Sequence, residues 1–588
     1  MKRFALILIS LSALCFGSVS CDDVLNIDPT TKFKQEDIWG DQEAIDHYLY
    51  SFYSYLRDYC ETTNSNAASF SDCYSDIMKS GSWNQYGHGY NTTILQDNSF
   101  TSDNAGAFEC WGGDYSNIRY INQFLYDLEA VRPTFGDEFV NVRSAEARFV
   151  RAYVYWHLIR IYGGVPLRVV EADGFDGPEQ NDKARSSEED CWKFVMNELK
   201  EAAGYLPQVW KDQRGRVTKA AAYGFLSRVA VYAHDWQTAT EAAEQCKLAG
   251  GSLDASYSAV FSNATSPENL LLIEYASSKL THRAEMFFRP VGDAKYHNNV
   301  SIYGVIGPTS ELVDSYEMAD GTPFSWEKHG NDPYAGREPR FYSSILYDGA
   351  SWEGRDVETC VSKNVHQRFY EKYGTAEQTL VSERDTVLLG EDHMDPFTAT
   401  NSTAATPTGY YFKKFITENS SDWETNGSTH FGFIIRYAEV LLNAAEAYAE
   451  MGQMVEALEC LNQVRRRVSL PDRATMDKAE FMEYLRHERM VELAGEGFRY
   501  WDVRRWRLGE ELFNGTVAHG VEIVRNEEND YNSESGTEMA SNVTKRSYKQ
   551  VGVDANRVRY FFERYYYFAI PLTERSNNAL INENNPGW

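Results

Sequence analysis

Two stretches of this chain repeat one pattern of small and large residues, and that pattern restricts what most of the molecule can become. Residues 222–248 carry Tyr232-Ala233, a break at Asp235-Trp236, then Ala239, Ala242 and Ala243. Residues 437–467 carry Tyr448-Ala449, a break at Gly452, then Ala457 and Leu458. Both read as helical hairpins, because small alanines let two helices approach closely while large residues between them fill the grooves. A hairpin of this kind leaves an apolar face uncovered and has to stack on a neighbour. The sequence supplies neighbours. In 145–162, Ala145, Phe149, Ala152, Tyr153, Trp156 and Ile159 recur at helical spacing until Gly163-Gly164 ends the run. Residues 42–56 carry Ala44, Ile45, Tyr48, Leu49, Phe52 and Leu56 in the same rhythm, and 115–131, 187–206 and the flank around Glu480 are helical as well.

The expected class is therefore mainly α: a tetratricopeptide-like helical-repeat scaffold. Generic helix pairing is the competing account, since each copy matches imperfectly. Residues 251–430 depart from the pattern. They are rich in Gly, Asn, Asp, Tyr and Trp, with short mixed segments such as 340–347, and read as a loop-rich, mixed α/β lobe inserted between the hairpins. Residues 515–557 form a second polar excursion. A chain of 588 residues exceeds what one core supports. The expected divisions are 1–20, 21–36, 37–250, 251–430 and 431–588.

Residues 1–20 have the layout of an export signal: Lys2 and Arg3, an apolar run from Phe4 to Phe16, then Gly17, Ser18, Val19 and Ser20. Cys21 follows at the first mature position, where a bacterial lipoprotein signal places the thiol that takes a diacylglyceryl group. Ordinary cleavage with Cys21 incidental is the alternative. Residues 21–36 then form a polar tether containing Pro29.

The formal charge of −29 repels a phosphate backbone and argues against nucleic acid as a partner. Seven cysteines remain beyond Cys15 and Cys21, without CxxC or Cys/His metal spacing, so no disulfide scaffold is indicated. Neither a GxSxG elbow nor a GxxxxGK[ST] loop occurs, and His487-Glu488 lacks the second histidine of a zinc protease because position 491 is Val. A pair of glycosidase carboxylates cannot be recognised from spacing alone. The acidic run Asn526–Asn532 offers oxygen ligands for calcium but lacks the EF-hand glycine and final glutamate, which favours a solvated loop. No cofactor is called for. The run Arg499–Trp506 reads as helix-locking, with Asp502 and Arg504 in structural ion pairs.

Aromatic residues are the compositional outlier, at 14% of the chain with 39 Tyr and 13 Trp. Pyranose rings have apolar faces that stack on Trp and Tyr, and loops on a rigid scaffold are where such groups collect. Trp83, Asn84 and Tyr86 sit in a Gly- and Ser-rich loop where no apolar period claims them for a core, and they are the first candidates for ligand contact.

Several segments together resemble the SusD/RagB family of outer-membrane nutrient-binding lipoproteins. They are Cys21–Pro29, Ala145–Tyr153, Tyr162–Leu167, Pro308–Tyr316 with Asp320-Gly321, Arg337–Phe341, Arg436–Leu442, Glu496–Asp502, Tyr567–Pro571 and Asn584–Trp588. They span nearly the whole chain in family order. The resemblance implies a lipidated Cys21, a surface location at the outer membrane, a glycan ligand and a SusC-like TonB-dependent transporter as partner. It also implies an aromatic arc drawn from the early loop and the insertion, to which this chain contributes Trp83, Tyr296, Trp326 and Trp352. A structural role competes with ligand contact at each ring. Two other functions stay open: a lipid-anchored glycoside hydrolase and a helical scaffold that binds only protein.

Overall fold

The computed structural model describes residues 38–64, 70–81, 100–102, 105–169, 183–211, 213–276, 279–297, 302–362, 390–393, 405–425, 427–525, 531–532, 537–538, 546–553 and 558–588. The signal region, Cys21, and Trp83, Asn84 and Tyr86 lie outside the described residues, as do residues 526–530 of the acidic run.

The scaffold is built from helices α1 (Gln42–Ser51), α2 (Trp111–Ala130), α3 (Asp137–Tyr162), α4 (Glu188–Tyr205), α5 (Lys219–Tyr232), α6 (Trp236–Leu248), α7 (Tyr437–Glu450), α8 (Met454–Arg467), α9 (Lys478–Glu492) and α10 (Arg499–Arg505). Their starts are chemically marked. Asp41, Ser187, Thr218, Asp235 and Asp477 each accept a hydrogen bond from a first-turn backbone N–H. Neighbours pack in sequence: α2 on α3, α3 on α4, α4 on α5, α5 on α6, α6 on α7 and α7 on α8. The C-terminal half of α3 is buried almost all round, so it forms the centre of the stack. It ends at Gly163 (φ +72°), where a Cβ would also press on the Tyr567 ring at 3.3 Å.

The two hairpins that stood out in the sequence close through the same turn. In one, the N–H of His234 donates to Val231 O and that of Asp235 to Ala230 O; in the other, Gly452 donates to Ala449 O and Gln453 to Tyr448 O. The left-handed position is Gly452 (φ +77°) in one copy and His234 (φ +54°) in the other. Glycine takes this conformation without cost, and His234 adopts it in the other copy.

The insertion enters and leaves through one ribbon. Strand β2 (Asn269–Ile273) pairs antiparallel with β4 (Gly432–Arg436), and Tyr437, the first residue of α7, donates its N–H to Glu268 O at 2.9 Å. Between them the chain forms short turns of helix and two-residue strands. Strand β3 (Ile306–Pro308) pairs with β1 (Met78–Ser80), tying the insertion to the early segment. Strands β5 (His519–Arg525) and β6 (Arg546–Gly552) give the polar 515–557 excursion an antiparallel hairpin.

A buried ionic seam joins insertion to scaffold. Arg436 bonds Glu268, Glu492 and Glu496; Arg340 bonds Glu338, Glu488 and Glu492; Arg465 bonds Glu317 and Glu488; Lys414 bonds Glu496. All of these side chains are buried. Ion pairing at Arg499–Trp506 is partly as expected. Asp502 pairs with Arg489 and Arg505, but Arg504 instead donates to Tyr566 O and lies over the Trp501 ring.

Candidate carbohydrate-binding face

The insertion presents a group of partly exposed rings around Trp326. A short helix, Trp326–His329, starts with this residue, and its indole N–H donates to Asp314 Oδ2 at 2.8 Å. The indole meets Phe324 edge-on at 5.5 Å between ring centres and lies 6.0 Å from Tyr548. Behind these rings sits Tyr334, buried, with Tyr347 at 4.4 Å and Tyr548 at 5.8 Å. Tyr342 lies 6.3 Å from Tyr347, is 37% exposed, and donates its hydroxyl to Tyr334 O. One buried ring thus carries several with free edges or faces, the arrangement that stacking on a sugar requires.

Burial pushes the Asp314 carboxyl up to about 6, against the opposing pull of the Trp326 N–H and of Arg337. Its Oδ1 is buried with no hydrogen-bond partner in the protein. An unpaired acceptor oxygen therefore lies beside the indole N–H.

Tyr296 belongs to a second, more polar cluster. It ends the short helix Asp293–Tyr296, is 54% exposed, and donates its hydroxyl to Glu391 Oε2 at 3.0 Å. Lys295 pairs with the same carboxylate, and the Arg355 guanidinium lies 5.4 Å from the Tyr296 ring centre. The ring keeps an open face.

Trp352 does not join either surface. It is 1% exposed, and its indole N–H donates to Asp293 Oδ2 at 2.9 Å. Ser351-Trp352 pairs with Arg355-Asp356 across a tight turn at Glu353 and Gly354, both with positive φ. That register alternates Ser351 outward and Trp352 inward. Arg355 grips the same Asp293, so Trp352 buttresses the helix that presents Tyr296.

Tyr548 escaped sequence reading. It comes from β6, inside a segment that looked like a polar excursion. Its signal was the alternation Arg546, Ser547, Tyr548, Lys549, an isolated aromatic on one strand face. The residue after β1 meets the insertion: Gly81 donates its N–H to Val305 O at 2.7 Å.

A separate concavity lies in the helical scaffold. It encloses about 720 Å³ between Trp192, Tyr232, Trp501, Arg504, Arg507 and Tyr567. Its acidic residues are committed. Glu188 accepts from Tyr567 and Trp192, Glu189 pairs with Lys193, and Asp235 caps α6.

Residues 267–588, more than half of the chain, match the profile of the family described as the SusD family. The chain belongs to the SusD family. Residues 24–231 of this SusD-family protein match a second profile, described as "Starch-binding associating with outer membrane". A SusD-like protein of Formosa agariphila, P38, is 25% identical over 547 residues, covering 87% of this chain and 93% of that one. A SusD-like protein from Bacteroides fragilis has the same fold, with a TM-score of 0.72 at 24% identity over 95% of this chain and 99% of its own. A laminarin-binding SusD-like protein superposes with a TM-score of 0.61 at 18% identity over 93% and 99% of the two chains. No helix among the described residues is long and apolar enough to cross a membrane.

Proposed function

We propose that this SusD-family protein binds an oligo- or polysaccharide on the aromatic face of its insertion, without bond chemistry. The observation that carries the reading is the set of partly exposed rings around buried Tyr334: Tyr347 and Tyr548 pack on it, Trp326 on Tyr548 and Tyr342 on Tyr347. Tyr296 offers a further ring with polar neighbours, and Trp83, Asn84 and Tyr86, outside the described residues, remain candidates for ligand contact on the sequence alone. Support comes from the family and from neighbours described as carbohydrate-binding and laminarin-binding. Lipidated Cys21 tethers the protein to the outer membrane at the cell surface, and a SusC-like TonB-dependent barrel receives the captured glycan. Affinity on such a surface comes from stacking and from hydrogen bonds on a preformed platform.

Isothermal titration against a panel of glycans is the test. The expected result is saturable binding of at least one glycan, weakened about tenfold by Trp326→Ala, or about 1.4 kcal/mol. Trp83→Ala, measured beside it, reports the share of the early loop. Binding unchanged in both variants overturns the site, and shortened products after incubation with the panel would favour the hydrolase reading. The committed carboxylates of the large scaffold cleft weigh against that second reading.

A further inference from the structure

Cys110, Asp114 and His157 converge at the junction of α2 and α3, far from any chemistry described above. One candidate ligand atom from each, the thiol sulfur, a carboxylate oxygen and a ring nitrogen, lies within 4.8 Å of the others. Local structure explains the meeting. Cys110 is the residue before α2 and Asp114 lies one helical turn along, so both face the same way. His157 projects from α3, which packs against α2.

We propose that these three side chains form a binding site for a single borderline-soft divalent cation such as Zn2+. Three observations carry it. First, thiolate, imidazole and carboxylate are the donor set that zinc takes, and three protein ligands leave a fourth position for water. Second, the surroundings hold the ligands in place. The His157 Nδ1 and Asp114 Oδ2 share a hydrogen bond at 2.8 Å, the second Asp114 oxygen accepts the Tyr59 hydroxyl, and the Tyr59 ring lies 4.2 Å from the imidazole. Metal-binding carboxylates and histidines are oriented by outer partners of this kind. Third, the site is reachable: Cys110 is partly exposed and its thiol is free of disulfide, while the His157 side chain is 13% exposed.

The geometry needs little adjustment. Tetrahedral zinc with ligand bonds of about 2.0–2.3 Å separates its ligand atoms by roughly 3.3–3.7 Å. Closing from within 4.8 Å requires a shift of about 1 Å, within reach of side-chain rotation. The cation would bind Nδ1 of the neutral His157 ring, with the ring proton on Nε2, and the Cys110 thiol would release its proton to solvent on binding.

The test uses the untagged, reduced, chelator-treated protein titrated with Co2+ and then with Zn2+. One equivalent of Co2+ should produce the thiolate-to-cobalt charge-transfer band and the visible bands of a four-coordinate ion, and Zn2+ should displace it. Cys110→Ser should abolish the charge-transfer band, and His157→Gln should weaken Zn2+ binding by about 10–100-fold. Far-ultraviolet circular dichroism of each metal-free variant, matching the wild type, separates lost ligation from lost folding. The proposal is overturned if the wild type gives no such band, or if the band survives in Cys110→Ser.

Discussion

The insertion meets the rest of the molecule in two contrasting ways. At its base, the ionic seam buries every charge and gives most of them several partners: Glu492 alone receives Arg340, Arg436 and Arg467. At the other extreme, the aromatic face leaves its rings partly exposed, Trp326, Tyr347 and Tyr548 among them. A buried ion must be fully answered because an unanswered one costs several kcal/mol. A binding ring must stay partly unanswered, because the ligand supplies the missing face. The difference separates the part that fixes the insertion in place from the part that is left available.

That contrast can be broken first at the seam. Removing the Glu492 carboxylate leaves three guanidiniums short of a partner. Glu492→Ala is expected to destabilise the protein by about 3–5 kcal/mol, read from the urea midpoint. Burial works against this carboxyl, yet Arg467, Arg436 and Arg340 outweigh burial and hold it well below the usual carboxylate range. Its contribution is therefore complete above the unfolded value of 4.5 and is lost as pH falls below that value. The acid limb of wild-type stability should flatten in the variant.

The aromatic face predicts the opposite sign. Burial raises the Asp314 carboxyl to about 6, from 3.8, so its ionised form opposes folding above that pH. Stability attributable to this group falls as pH rises between those two values and stays reduced above them. Asp314→Asn keeps an acceptor for the Trp326 indole and should raise stability at pH 8 by about 2 kcal/mol. The gain should vanish near pH 4, and a series of melts across that range checks it.

The smallest effect is expected at Tyr296. Tyr296→Phe removes one hydroxyl from the exposed Glu391 and should shift stability by less than about 0.5 kcal/mol, with glycan affinity within about twofold of wild type. A larger loss of affinity would move the centre of binding from Trp326 toward the polar cluster.

The scaffold was legible in the sequence because helical spacing and capping residues act locally. Ser187, Thr218 and Asp477 mark helix starts that the structure places where the periodicity puts them. The candidate face was only half legible. Trp326 and Tyr296 stood in turns that the sequence could show, but exposure is decided by register and by partners distant in the chain. Trp352 went inward because a tight turn fixed its strand phase, and Asp293, 59 residues away, supplied an acceptor for its indole. Tyr548 reached the face only through pairing of β6 with β5, and nothing local announces that meeting.

The ribbon of β2 and β4 has a consequence for how this architecture can vary. Both ends of the insertion are pinned to each other, and the β1–β3 pairing and the ionic seam hold it at points between, so the stretches between these ties behave as closed loops. Loop-closure entropy grows only logarithmically, and doubling the length of such a segment costs about 0.6 kcal/mol. A lineage carrying this ribbon can lengthen, shorten or rewrite the turns around Trp326 at small thermodynamic expense, provided that Glu268 and Arg436 still meet at the base and Glu317, Arg340 and Lys414 keep their scaffold partners. The place where a ligand would be recognised is thereby the place where the chain is freest to change.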